Sequence, residues 1–248
     1  FFSFKKKIIL QDLIILLFFS FILSVSISSN LKLEWDGAAI WIYRTINFFS
    51  GNNFNHLSEI PGVISYPHLG SYIWAFFWNN SFVNAEYTGR IFYVFCFCLS
   101  ILLIGGLLKS KLSNKIFLIS ASIVISLDYY LFAGYQEYLV FSILIFIFYF
   151  YFKYFITKEK IFLIPVIFLV NAILWIKNEA SFFVLFFFFF IFFHNLITKN
   201  KIIRELILIG VFFIVAFLIK NFIYYINFNE INAGWHGYEI NKISTIFT

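Results

Sequence analysis

The sequence predicts an all-α, polytopic integral membrane protein of about seven transmembrane helices, with two further helices lying along the membrane interface in its first outer loop. Three observations predict it. Mean hydropathy is +0.91. Only 12% of the residues are charged, about half the share in an ordinary soluble domain. Apolar runs close to the ~20 residues that cross a bilayer recur along the chain.

Seven such runs are legible, at 8–28, 86–108, 116–135, 138–156, 161–176, 180–196 and 202–222. If they alternate across a membrane, the connections sort by charge. One side receives twelve basic residues and three acids, a net +9, while the other receives six basic residues and nine acids, a net −3. The positive-inside rule then places the N-terminus in the cytoplasm and the acidic side outside. The overall charge of +6 is therefore orientation signal in short clusters, not a stripe for nucleic acid.

The whole chain, 1–248, reads as one transmembrane domain. It contains no Met and ends in an unfinished polar stretch, which suggests a fragment truncated at both ends. Cys96 and Cys98 are two residues apart in an apolar run. On a helix that spacing turns them to different faces, so neither a disulfide nor a metal pair is expected. His56, His68, His194 and His236 are scattered and form no ligand cluster.

The first outer loop, 29–85, is long for a connection, and loops of that length usually have a task. Asp36-Gly37 precedes an apolar, aromatic stretch from Ala38 to Phe49 that stops at Ser50-Gly51. Asp as an N-cap and Gly past the end are helix punctuation. A second short helix is expected to start at Pro67 and run through Trp74 to Trp78. Their Trp and Tyr residues suit an interfacial belt.

The ionisable residues on the acidic side are the candidates for chemistry. Lys177-Asn178-Glu179 interrupts two nearly all-apolar stretches, and charge at that depth is costly unless it serves a water-facing end or a polar cavity. Lys177 suits a lipid phosphate, or simply snorkels to the interface. Glu34 and Asp36 suit a general base and its partner, or a solvated loop acid and an N-cap. Glu137 sits in the tight turn Gly134-Tyr135-Gln136-Glu137, which needs no carboxylate. Asp128 follows Ile116 by roughly 18 Å of helical rise and should lie below the surface, unless that span ends early. Arg90, one turn after Glu86, is either an i,i+4 ion pair or a phosphate contact. His68, after Pro67, is a weak signal by itself.

Taken in order, Glu34-Trp35-Asp36-Gly37-Ala38-Ala39-Ile40-Trp41, Tyr66-Pro67-His68-Leu69, Gly134-Tyr135-Gln136-Glu137 and Ile176-Lys177-Asn178-Glu179-Ala180 carry a resemblance. The chain resembles bacterial glycosyltransferases of the GT-C fold, those of family 39 similar to protein mannosyltransferases and the lipid A aminoarabinose transferase, over about residues 8–225. The resemblance implies a multi-pass protein of the bacterial inner membrane. It also implies an inverting transferase that moves a sugar from a polyprenyl-phosphate donor to a lipid, glycan or protein acceptor among the surrounding membrane lipids and cell envelope. Asp36 would be the catalytic base with Glu34 beside it. Lys177, Glu179, Glu137, Arg90, Tyr66, His68 and Asp128 would line the substrate site. No soluble cofactor is implied, and a divalent metal is left open. Departures are mild: His68 stands where Pro or an apolar residue is common, Glu137 where Asp is, and Ala180 where Gly is. A transporter or flippase of polyprenyl-linked sugars would need repeats and midplane charges, which the chain does not show. A surface-polysaccharide polymerase or ligase would carry its large loop further on.

Overall fold

The computed structural model of the chain describes residues 2–29, 31–59, 66–108, 111–127, 133–198 and 203–228. Among them every regular element is helical. The long helices are α1 (Phe2–Ser29), α4 (Tyr87–Leu107), α6 (Glu137–Thr157), α8 (Ala180–Thr198) and α9 (Ile203–Phe228). Shorter ones are α2 (Ile42–Phe49), α3 (Leu69–Asn79), α5 (Leu112–Leu127) and α7 (Leu163–Ala172). Among the described residues five helices are long and apolar enough to cross a membrane, so the chain has the architecture of a multi-pass membrane protein. The other two expected spans are shorter apolar helices, 112–124 and 160–175.

These sequences are apolar around the whole helix, which favours burial in lipid or in a bundle. Helices suit lipid because every backbone group in their interior is bonded within the segment. Their few polar side chains follow the same logic. The hydroxyls of Ser24, Ser122 and Ser142 donate to carbonyls one turn back, at 2.6–2.7 Å. α4 is the central post: 56% of its span is buried, against 17% in α9. It packs on α1, α3, α5 and α6. Edge-on Phe pairs join α6 to α8, with Phe148 5.1 Å from Phe187 and 5.4 Å from Phe190.

Helix ends explain two departures from the expected boundaries. Lys158 takes a left-handed conformation (φ 60°) after α6 and its N–H caps the Tyr154 carbonyl at 2.7 Å. The stretch 161–176 is one α-helix with a 3-10 turn at each side, Lys160–Phe162 and Ile173–Trp175. Pro165 lies in the first turn of α7, where its missing N–H costs nothing.

Among the described residues the segment 29–85 contains two α-helices, entered differently from expectation. α2 is preceded by a π-helical turn, Gly37–Trp41, and ends at Ser50 before left-handed Gly51. Asp36 is itself helical (φ −62°, ψ −40°) and makes no side-chain capping bond, so the N-cap role is not what places it. α3 begins at Leu69 with His68 before it, two residues later than Pro67.

Candidate functional site

Alternation of the helices brings the C-terminal ends of α1 and α9 and the N-terminal ends of α4, α6 and α8 to one end of the bundle. This acidic end is held together by a backbone contact. The Glu34 N–H donates to the Ala133 carbonyl at 3.0 Å. A Cβ at Gly37 would lie 2.3 Å from the same carbonyl oxygen, and one at Gly134 (φ +95°) 2.8 Å from the Gly37 Cα. Two segments almost a hundred residues apart can meet this closely only because both contribute glycine. Asp36 and Glu137 are thereby carried on one docked unit.

The charges of that unit converge. Lys177 forms an ion pair with Glu137, and Lys32 with Glu34 at 2.8 Å. Desolvation raises the Tyr135 phenol above its ordinary range; Asp36, Glu34 and Glu137 push it the same way, and Lys177 opposes them. The Tyr66 phenol is pushed up to about 12, first by burial and then by Glu179, Asp36 and Glu137, with Arg44 opposing. Asp36, Glu137 and Glu179 therefore act on one phenol although they come from three distant segments. The Oε2 atom of Glu179 is buried and makes no hydrogen bond.

The triplet itself is a tight turn, not an interruption within a helix. The N–H groups of Ala180, Ser181 and Phe182 donate to the carbonyls of Lys177, Asn178 and Glu179 at 3.1–3.2 Å. The turn aims Lys177 toward α6, and Asn178 accepts the Lys220 ammonium at 2.8 Å.

Behind the charged rim lies a buried polar layer that joins the expected Tyr66 and His68 to Arg44 and Tyr224, which sequence reasoning missed. The Arg44 guanidinium donates to the Tyr66 carbonyl at 2.5 Å, and the Tyr224 hydroxyl donates to the same oxygen at 3.2 Å. His68 Nδ1 lies 3.0 Å from that hydroxyl. Since the phenol proton is committed to Tyr66, His68 is the donor through Nδ1–H. Rings of Phe54 (4.5 Å), Trp175 (5.5 Å) and Phe48 (6.0 Å) surround the imidazole. Burial first, then Arg44 and Lys220, pushes it down to about 4, so His68 is neutral near pH 7. Lys220 and Tyr224 are both buried; the faint sequence signal for them is their i,i+4 spacing on an apolar helix. Nothing comparable marked Arg44.

Arg90 sits elsewhere in this scheme. It is 1% exposed and pairs with Glu86 (2.8 Å to Oε1, 2.9 Å to Oε2) beneath the Trp74 ring. Its charge is matched within α4 and its preceding turn, so the ion-pair reading accounts for it and the phosphate contact is not retained. Asp128 lies outside the described residues. Gln136, fully buried, joins the Tyr93 hydroxyl at 3.0 Å, which also reaches the Gly70 carbonyl at 2.7 Å. That network pins α3 and α4 to the turn carrying Glu137.

A groove of about 290 Å³ opens between α6 and α8 at this end. Glu137, Lys177 and Glu179 line its polar part, and Val140, Phe141, Leu144 and Phe183 its apolar part. A charged mouth above an apolar slot can hold an amphiphile by head and tail together. Among the described residues no three His, Cys, Asp or Glu gather as metal ligands. Compared with family models, with curated proteins and with solved structures, the chain matches none.

Proposed function

We propose that this protein is a membrane glycosyltransferase that moves a sugar from a polyprenyl-phosphate donor to a cell-envelope acceptor on the outer face of a bacterial inner membrane. The reading takes seven spans, counting 112–124 and 160–175, a cytoplasmic N-terminus, and α2 and α3 lying in the outer interface. One observation supports it: the Gly37–Gly134 contact docks the segment that carries Asp36 onto the turn before Glu137, which heads the groove with Lys177 and Glu179.

In this reading the prenyl chain lies along Val140, Phe141 and Phe183, and its phosphate meets the ammonium of Lys177. Glu137, whose side chain is 48% exposed, can swing aside for it. Lys220, held by Asn178, adds a second cation close behind. The acceptor oxygen attacks the anomeric carbon as the bond to the phosphate oxygen breaks. Its proton passes to the Asp36 carboxylate, and the cations stabilise the leaving phosphate as its charge develops. The anomeric carbon inverts because no protein nucleophile intervenes.

The test is a transfer assay on the full-length protein with a panel of radiolabelled polyprenyl-phosphate sugars. Asp36→Asn keeps the shape of the side chain and removes the base, so transfer should fall by about 10²–10⁴-fold with insertion and folding intact. Full activity in that variant removes the base assignment, and no transfer from any donor in the panel removes the reading.

A further inference from the structure

Among the described residues the opposite end of the bundle carries most of the basic ones, and their surroundings differ. Lys115 is neutralised by Asp12, both of whose carboxylate oxygens lie 2.7 Å from its ammonium. Lys153 lies 5.5 Å from the Tyr149 ring, and Lys158 4.4 Å from the Phe155 ring. Among the described residues Lys160 and Arg204 have neither kind of partner, and both are exposed. They meet at the mouth of one groove, about 360 Å³ in volume, between the start of α7 and the first two turns of α9.

The walls of that groove are Leu163, Ile207, Leu208 and Val211. Ile207, Leu208 and Val211 are 59%, 46% and 52% exposed, so the protein itself leaves this apolar strip uncovered. Val211 is seven residues beyond Arg204, roughly 10 Å further along the helix axis. The groove thus runs from a charged mouth along an apolar strip of α9. Glu205 also lines it, but it takes a hydrogen bond from the Tyr154 hydroxyl of α6 and pairs with neither cation.

We infer that this groove is a binding site for an anionic glycerophospholipid, with the phosphate held between Lys160 and Arg204 and an acyl chain laid against Leu163, Leu208 and Val211. Charge complementarity selects the occupant. Two unmatched cations at the rim of an apolar slot attract a headgroup of net negative charge, whereas a zwitterionic one brings a positive group with its phosphate. The planar guanidinium suits two phosphate oxygens at once. The site is independent of the sugar-transfer reading, since it lies at the other end of the bundle.

Native mass spectrometry of the purified protein in uncharged detergent tests it, by titration with dioleoyl phosphatidylglycerol and, separately, dioleoyl phosphatidylcholine. The glycerol lipid should bind more tightly. The double variant Lys160→Gln, Arg204→Gln should weaken it about thirtyfold, roughly fivefold for each cation with a further gain from pairing. The charge-matched double variant Lys111→Gln, Lys153→Gln should leave binding within about twofold. Leu208→Trp, which fills the slot and keeps both cations, should also weaken binding and guards against misfolding of the charge variant. Equal binding of the two lipids, equal loss in the two double variants, or unchanged binding in Leu208→Trp would each overturn the site.

Discussion

The two ends of this bundle handle charge in opposite ways. At the basic end, cations are spread around the rim and the buried one is neutralised at once, as Lys115 is by Asp12. At the acidic end, carboxylates from three distant segments act on the same tyrosine, and cations, carboxylates and a neutral histidine share one aromatic-walled region. Dispersed charge is what orientation in a membrane requires. Convergent charge is not needed for folding, and the fold uses two glycines and a buried hydrogen-bond network to maintain it. The contrast teaches where stability and chemistry separate in this chain.

The largest expected effect breaks the convergence directly. Gly37→Val places a branched side chain against the Ala133 carbonyl and should cost about 2–3 kcal/mol or more, as overpacking against unyielding backbone does. Thermal unfolding in detergent should show the loss, and sugar transfer should fall with it. Gly210→Ala, where nothing lies near the new methyl, should instead gain about 0.5–1 kcal/mol. Equal behaviour of the two variants would mean that the docking contact is not what holds the acidic end.

Next in size is the comparison of the two long-range ion pairs. Asp12→Asn leaves the Lys115 ammonium buried (8% exposed) with only an amide to meet it, and should cost about 1–2 kcal/mol with no effect on transfer. Glu137→Gln frees a Lys177 whose partner is half in solvent, and should cost under about 1 kcal/mol. Lys177→Ala should weaken use of the donor more than use of the acceptor. A Glu137→Gln variant as unstable as Asp12→Asn would make the acidic-end pair structural.

The effect that is smallest near neutral pH, and grows only in acid, is a pH dependence. His68 is held down at about 4 in the folded protein, against an ordinary value of 6.5. Stability is therefore unaffected above pH 6.5 and declines as pH falls from 6.5 towards 4, where the unfolded chain binds a proton that the folded one refuses. The slope should approach about 1.4 kcal/mol per pH unit within that window. His68→Gln should remove this component of the unfolding curve. An unchanged slope would place the titration on another group.

Much of this was legible from residue order. Composition and apolar run length determined that the chain is helical and multi-pass, because a bilayer admits few other ways to satisfy backbone groups. The clustering of acids on one set of connections followed from alternation alone. The roles of individual residues were less accessible. Asp36-Gly37 read as helix punctuation, yet its glycine serves close approach to Gly134 across the bundle. Arg90 left two readings open that only its contact with Glu86 separates. Lys220 and Tyr224 were inconspicuous in an apolar helix until Asn178, Tyr66 and His68 were seen to lie against them.

What the sequence by itself determined is therefore the class of protein and the end of it on which charge collects, since both depend on hydropathy and count along a line. Which charges meet was decided by the tertiary structure. That depends on a steric fact with no local signature, two backbones approaching where neither residue has a side chain, and on helix rotations that turn Lys220 inward and leave its neighbours Leu218 and Ile219 exposed.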